Sequence, residues 1–307
     1  MDESFLDDEK PKKSHKPKKK MTRTKYQAMK RRKLQRIKLR PWAFLVLLIL
    51  FSSIILVNLK TILSWGKDNK EIKEIETEIE ETVEIEEIEE EGEIINPPKE
   101  KESDYWLYVK VPFYNIDFTG LLEKNNDTVG FISIKNTNIN YPIVQTTNND
   151  YYLNHAYDKS YNEAGWVYMD YRNDKNFTNF NTIIYGHGRL NKTVFGSLKD
   201  LLNSSWQSNI DNHTFNISTP TMNYVYQIFS IYTIEAETYY IQTKFDNDAR
   251  REKWINEMNR RNTSIIQSPA NINDKIITLS TCLNNDNGRV VVHAKLIKQQ
   301  TKETIYQ

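Results

Sequence analysis

The 307-residue chain balances 42 Lys and Arg against 41 Asp and Glu, for a net charge of +1, but the two signs are segregated along it. Its one cysteine excludes an internal disulfide. The sequence holds no metal-ligand cluster, no glycine-rich phosphate loop and no cofactor motif, so no metal or cofactor is expected.

Residues 1–40 form a basic tail with sixteen Lys and Arg, crowded into KKSHKPKKK and KRRKLQRIKLR. Such a run suits nucleic acid, but here it abuts residues 42–59, WAFLVLLILFSSIILVNL, which are apolar apart from two serines and Asn58. At ~1.5 Å per residue that stretch spans most of a ~30 Å hydrocarbon layer. Leu59 to Ile62 offers no A-x-A-like cleavage site, so residues 41–62 are expected to be a single-pass anchor. The basic run is then a positive-inside signal: the amino terminus is cytoplasmic, the remainder is outside, and the partner is the bilayer rather than nucleic acid.

Residues 63–103 follow as an acidic linker, with thirteen Glu between Glu71 and Glu93. Ile72, Ile75, Ile79 and Val83 recur at roughly helical spacing. The charge predicts a solvated stalk rather than a core, with weak coiled-coil pairing through the isoleucines left open. Asn96-Pro97-Pro98 and the KEKESD run mark its end.

Residues 104–300 have the composition of one globular domain large enough to bury a core, and residues 301–307 are a tail. Short β-type runs occur at 129–134, 139–144, 165–169, 181–185, 213–218, 223–233, 276–281 and 289–297. The fold class is therefore mainly β, an eight-stranded closed or nearly closed barrel with added helices. One helical face is expected from Phe195, Leu198, Leu201, Leu202 and Trp206, and a second helix over 246–261 in the connection to the last strand pair.

The run IITLSTCLNNDNGR at 276–289 brings Cys282 to a strand end seven residues before Arg289. A thiol there, with a guanidinium behind it, can face one carbonyl as nucleophile and oxyanion stabiliser. The competing reading is an inert core cysteine, since free cysteine is among the most buried residue types. Of the five histidines, His15 lies in the basic tail, and His155 and His213 stand in polar, loop-like surroundings. His187, between Gly186 and Gly188 after the strand NTIIY, is the favoured base. His293, four residues and roughly 13 Å along the strand from Arg289, reads as a half-buried strand residue and is the alternative.

YGH at 185–187, TLSTC at 278–282 and the following Arg289 resemble the His, Cys and Arg motifs of sortases in order and spacing. NDTVGFISI, INYPIVQTTNNDYYLNH, FTNFNTIIYGH, TVFGSL and YQIFSIY extend the resemblance to class B over about residues 110–298. It implies an eight-stranded barrel and a cysteine transpeptidase. Its partners would be secreted proteins with a C-terminal sorting signal of the NPxTx type and an amine of a peptidoglycan precursor. Cys282 would attack the carbonyl after the threonine and form a thioacyl enzyme, which the amine would then resolve. His187 would protonate the leaving amine and deprotonate the incoming one. Free Cys and His near ~8.5 and ~6.5 leave about one site in a hundred as an ion pair, so Arg289 either lowers that cost or holds the oxyanion. The resemblance also implies Asn149, Leu153, Ser280, Tyr240 and Ile241 as substrate-binding residues. One departure is Leu283, where the subgroup often has a polar or acidic residue. Against an L,D-transpeptidase stand Ser280 and Thr281 where His and Gly would precede the cysteine; a papain-like protease would place Cys before His. A membrane-tethered binding module with a buried Cys282 is the non-enzymatic alternative.

Overall fold

A computed structural model describes residue 27 and residues 41–89, 91–100, 103–282 and 288–302. The basic tail apart from Gln27, Leu283 and residues 303–307 lie outside the described residues. The chain divides into two compact units, Met1–Thr61 and Ile62–Gln307. A helix spans Pro41–Thr82; its apolar window has a mean hydropathy of 2.6 with none of it buried, so by length and composition it can cross a membrane.

Within the second unit the acidic run departs from the solvated stalk expected of it. Ile72, Ile75 and Ile79 of this amino-terminal helix are 0%, 6% and 3% exposed and belong to the main core, together with Ile116, Leu121 and Tyr141. The spacing i, i+3, i+7 gathers them into one apolar stripe, which leaves neighbouring glutamates such as Glu74 and Glu78 facing solvent. The same isoleucines that suggested coiled-coil pairing are thus spent on the barrel. Beyond the helix, strand β1 (Ile85–Ile88) pairs antiparallel with β3 (Phe113–Ile116). Strand β2 (Glu93–Ile94) extends the main sheet.

That sheet contains each of the eight strands expected from sequence: β4 (Thr128–Ser133), β5 (Asn140–Val144), β6 (Tyr168–Met169), β7 (Asn181–Tyr185), β8 (Thr214–Ser218), β9 (Met222–Glu235), β10 (Ile276–Cys282) and β11 (Gly288–Thr301). Their order is β10-β7-β6-β5-β4-β8-β9-β11, and pairing of β10 with β11 closes the barrel, so that among the described residues only β2 extends this sheet beyond it. The first half of β11 pairs with β10 and its last residues pair with β2, from Lys298↔Ile94 to Gln299↔Glu93. Inward residues Val290, Val292, Ala294 and Leu296 alternate along β11 into the barrel core.

The outer face of β9, β10 and β11 is covered by the inserted helix Asp248–Arg260. Asn247 caps it, its side chain accepting from the Arg250 amide at 2.9 Å. Trp254, Ile255 and Met258 then pack with Phe229, Tyr232, Ile276 and Val291. The other expected helix is a 3-10 helix, Gly196–Leu202, followed by a short α-helix, Ser204–Gln207. Phe195, Leu198 and Leu201, all fully buried, are three apart, which suits the three-residue turn of a 3-10 helix better than an α-helical face.

Ile72→Ala is expected to lower the unfolding free energy by about 2–4 kcal/mol, the cost of a core aliphatic truncation. Ile94→Ala, at a residue 41% exposed, should cost within about 0.5 kcal/mol. Urea unfolding of the detergent-solubilised chain, followed by tryptophan fluorescence, checks the pair.

Candidate active site

Two strand pairings bring the sequence motifs together. β7 and β10 run parallel, in register from Asn181↔Ile276 to Tyr185↔Ser280, so both strands end at the same rim of the barrel. The Gly186 amide extends the ladder by donating to the Ser280 carbonyl at 3.3 Å. His187 and Cys282 each stand two residues beyond that last paired position. The antiparallel β10–β11 pair then sets Arg289 directly opposite Cys282.

A cavity of about 250 Å³ opens beside this rim. Its lining includes His187, Arg289, Leu153, Tyr240, Ile241 and Ser280. Four of the five substrate-binding residues inferred from resemblance therefore share one cavity with the inferred base and cation. Tyr240 and Ser280 are both 3% exposed and joined by a 3.0 Å hydrogen bond between their hydroxyls. Asn149 is not among the lining residues. Its amide donates to Asp170 at 3.1 Å and its side-chain carbonyl accepts from the Tyr171 amide at 3.0 Å, which makes it a brace behind the wall.

The His187 ring is held from two sides. Its Nε2 lies 2.7 Å from the Leu153 carbonyl, and since a carbonyl only accepts, Nε2 carries the proton and Nδ1 is left as the acceptor of the neutral ring. Beneath it, Gly165 adopts φ +60°; a Cβ there would meet the Tyr152 carbonyl at 2.5 Å, the Leu153 carbonyl at 2.8 Å and His187 Cδ2 at 2.9 Å. Only glycine lets the chain pass so close to the imidazole in this conformation.

His293 is a different kind of histidine. It is 0% exposed rather than half-buried, because the inserted helix covers the outer face of its strand and sets Trp254 against the ring. Its Nδ1 meets Thr278 Oγ1 at 2.8 Å and its Nε2 meets the Tyr232 hydroxyl at 2.9 Å. Burial, helped by the nearby Arg261 charge, lowers its pKa to about 3, so the ring stays neutral and cannot exchange protons near neutral pH.

The wall also contains residues to which the sequence assigned no role: Tyr168, Tyr185, Ala236, Glu237 and Thr281. Asp170 is 0% exposed; burial pushes its carboxyl up, but hydrogen bonds from Arg172 outweigh this and hold it below the usual carboxylate range. That carboxylate accepts from Arg172 Nε at 2.8 Å and from the Tyr185 hydroxyl at 3.0 Å, while Arg172 Nη2 reaches the Ile241 carbonyl at 3.1 Å. One ion pair thereby ties the end of β7 to the opposite wall. Its only trace in the sequence was Tyr185 of the YGH motif. A larger cavity of about 790 Å³ lies against the inserted helix, sharing Glu237, but its lining includes neither histidine nor cysteine.

Comparison with known proteins bears on the family and the fold. The sortase domain family matches residues 132–297. Sortase B of Listeria monocytogenes is 34% identical over 180 residues, covering 58% of this chain and 72% of its own. A Bacillus anthracis crystal structure described as similar to sortase B superposes with a TM-score of 0.59 at 33% identity, over 77% of this chain and 98% of that one. A substrate complex of Staphylococcus aureus sortase B gives 0.54 at 34% identity, over 59% and 84%. The chain belongs to the sortase family, cysteine transpeptidases of the cell surface. Within that family it is a class B sortase.

The buried neutral His293 predicts a pH signature. A histidine whose pKa is about 3 folded and ~6.5 unfolded contributes stability that is complete above ~6.5 and is lost as pH falls toward 3. His293→Gln lacks this linkage. Its stability difference from the native chain should therefore shrink by up to about 1.4 kcal/mol per pH unit below ~6.5. Denaturant titrations at pH 8, 6 and 5 measure that difference. Gly165→Ala, by contrast, should reduce turnover at least tenfold, because a misplacement near 1 Å at a reacting group costs about 10²; peptide-cleavage kinetics test it.

Proposed function

We propose that this class B sortase cleaves the C-terminal sorting signal of secreted proteins after its threonine, through a thioacyl enzyme on Cys282, and passes the acyl group to an amine of a peptidoglycan precursor. An NPxTx-like pentapeptide is the proposed signal. The observation that carries the reading is the register: parallel β7–β10 and antiparallel β10–β11 deliver His187, Cys282 and Arg289 to one rim, beside a cavity that His187 and Arg289 line.

The chemistry follows from the residue types. The sulfur of Cys282 forms a bond to the threonyl carbonyl carbon, and the carbonyl electron pair moves onto oxygen, where Arg289 offers a planar fork of donors. Collapse of that oxyanion breaks the C–N bond, and His187 as imidazolium supplies the proton that the departing amine requires. Neutral His187 then takes a proton from the incoming amine, which displaces the sulfur. With Nε2 committed to the Leu153 carbonyl, Nδ1 is the atom that exchanges these protons. The cavity, at about 250 Å³, is below the ~300–1,000 Å³ of typical small-molecule pockets, a size that suits the residues at the scissile bond rather than a whole pentapeptide. Leu153 and Ile241 supply its apolar contacts, and Tyr240 with Ser280 its polar ones. Anchoring by the apolar helix, with the amino terminus cytoplasmic and the catalytic unit outside, completes the reading.

Cys282→Ala should abolish both cleavage and the covalent adduct while leaving the unfolding midpoint near that of the native chain. The assay is a panel of quenched sorting-signal peptides with and without candidate amines, with products identified by mass; wild-type turnover in the variant would end this reading. If Arg289 holds the oxyanion, Arg289→Lys keeps the charge but loses the fork, and turnover should fall by ~10²–10³, nearly as far as in Arg289→Ala. The pH profile of Cys282 alkylation in Arg289→Lys should meanwhile stay close to that of the native chain. Near-full activity of the lysine variant would instead assign Arg289 to tuning the thiol.

A further inference from the structure

We infer that Asn69 of the amino-terminal helix is a positioning residue for His187: the helix holds both the loop that follows the histidine and the turn that lies beneath its ring. This rests on the proposed role of His187 as the acid and base.

The loop between His187 and Phe195 is closed on itself. The His187 carbonyl accepts from the Arg189 amide at 3.1 Å and the Phe195 amide at 3.2 Å, and Gly188 forms an isolated antiparallel bridge with Val194. Lys199 holds the Gly188 carbonyl at 2.7 Å and Asp200 pairs with Lys192, and the helix adds two further contacts to this closed loop. Asn69 Oδ1 accepts from the Arg189 guanidinium and from Asn191 Nδ2, the latter at 2.9 Å. Seven residues on, Glu76 Oε1 accepts from the Tyr141 hydroxyl, which itself accepts from the Val194 amide at 3.0 Å. Asn69 and Glu76 thus hold the two limbs of one loop, two helical turns apart.

A second route reaches the other side of the ring. The Asp68 carbonyl accepts from Asn162 Nδ2 at 3.1 Å, and the Asn162 carbonyl accepts from the Gly165 amide at 2.9 Å. Gly165 is the residue whose absent Cβ leaves room for His187 Cδ2. Adjacent helix residues, Asp68 and Asn69, therefore bear on His187 from below and from behind. Both contacts depend on the helix lying where the buried stripe of Ile72, Ile75 and Ile79 seats it. A sortase of this construction has its base positioned by the same helix that carries the apolar run at 42–59.

The test uses the full chain in detergent micelles. Asn69→Ala should lower kcat about tenfold with KM for the peptide within about twofold, since a small displacement of a reacting group acts on the chemical step. Arg189→Ala should lower kcat in the same direction, and the double variant should be no worse than Asn69→Ala alone, because Asn69→Ala already removes the Arg189 contact. Asn191→Ala, which removes the second bond to the same oxygen from an exposed side chain, is the companion variant should the unfolding midpoint of Asn69→Ala drop. Lys70→Ala, at an exposed neighbouring helix position, should leave kcat unchanged. If Asn69→Ala and Asn191→Ala both turn over within twofold of the native chain while His187→Ala is inactive, the inference is wrong and the catalytic reading stands. Additive losses in the double variant would also overturn it, since Asn69 would then not act through Arg189. Native-like turnover in His187→Ala would instead remove the catalytic reading on which it rests.

Discussion

The parallel pairing of β7 with β10 is the constraint on which the rest of this molecule depends. Parallel neighbours cannot be joined by a tight turn, so a long excursion must separate them in sequence. Here it occupies the chain from Tyr185 to Ile276 and contains the 3-10 helix, β8, β9 and the inserted helix. The reward for that excursion is geometric. Both strands finish at the same rim, and residues 187 and 282, ninety-five apart in sequence, each stand two positions beyond the last paired residues there. Antiparallel return through β11 adds Arg289 to the same edge.

Coverings on the barrel decide which polar groups are reactive and which are sealed. The inserted helix closes the outer face of β9–β11, so that His293, two residues beyond Val291 on that face, becomes a neutral core residue bonded to Thr278 and Tyr232. At the rim His187 remains partly exposed, with its ring steered by one carbonyl and one glycine. The contrast between the two histidines is one of solvation, not of distance along the chain. The Asp170–Arg172 pair works similarly at the wall: its carboxylate is buried, and its bonds to Tyr185, Asn149 and the Ile241 carbonyl pin these three in one arrangement. Removing one partner of such a network leaves an uncompensated charge in the core, which is why networks of this kind are rigid.

The acidic helix illustrates how little apolar surface is needed to dock a charged segment. Three isoleucines on one stripe are buried while Glu74 and Glu78 face water, and Tyr141 and Lys124 meet Glu76 and Glu78 at the margin. Burial raises the Glu76 carboxyl above its ordinary range, against the opposing pull of the Tyr141 hydrogen bond. The segment therefore belongs to the catalytic unit in structure although its composition is that of a linker.

The sequence by itself determined the eight barrel strands, because each is a short run with period two or a continuous apolar stretch bounded by turn residues, and such patterns are local. It also determined the candidates Cys282, His187 and Arg289, since the TLSTC and YGH motifs each lie within a few residues of a strand end. It misjudged the acidic helix, because mean charge hid a stripe whose partner surface is distant in sequence. It misjudged His293, because whether the second face of a strand meets solvent depends on a helix some forty residues away. Gly165, Thr281, Asp170 and Asn69 had no local signature at all: a glycine against an imidazole, or a carboxylate shared by three strands and loops, has meaning only once those segments meet. Periodicity is written along the chain, whereas contact between distant segments is decided by packing, and only the tertiary structure could supply it.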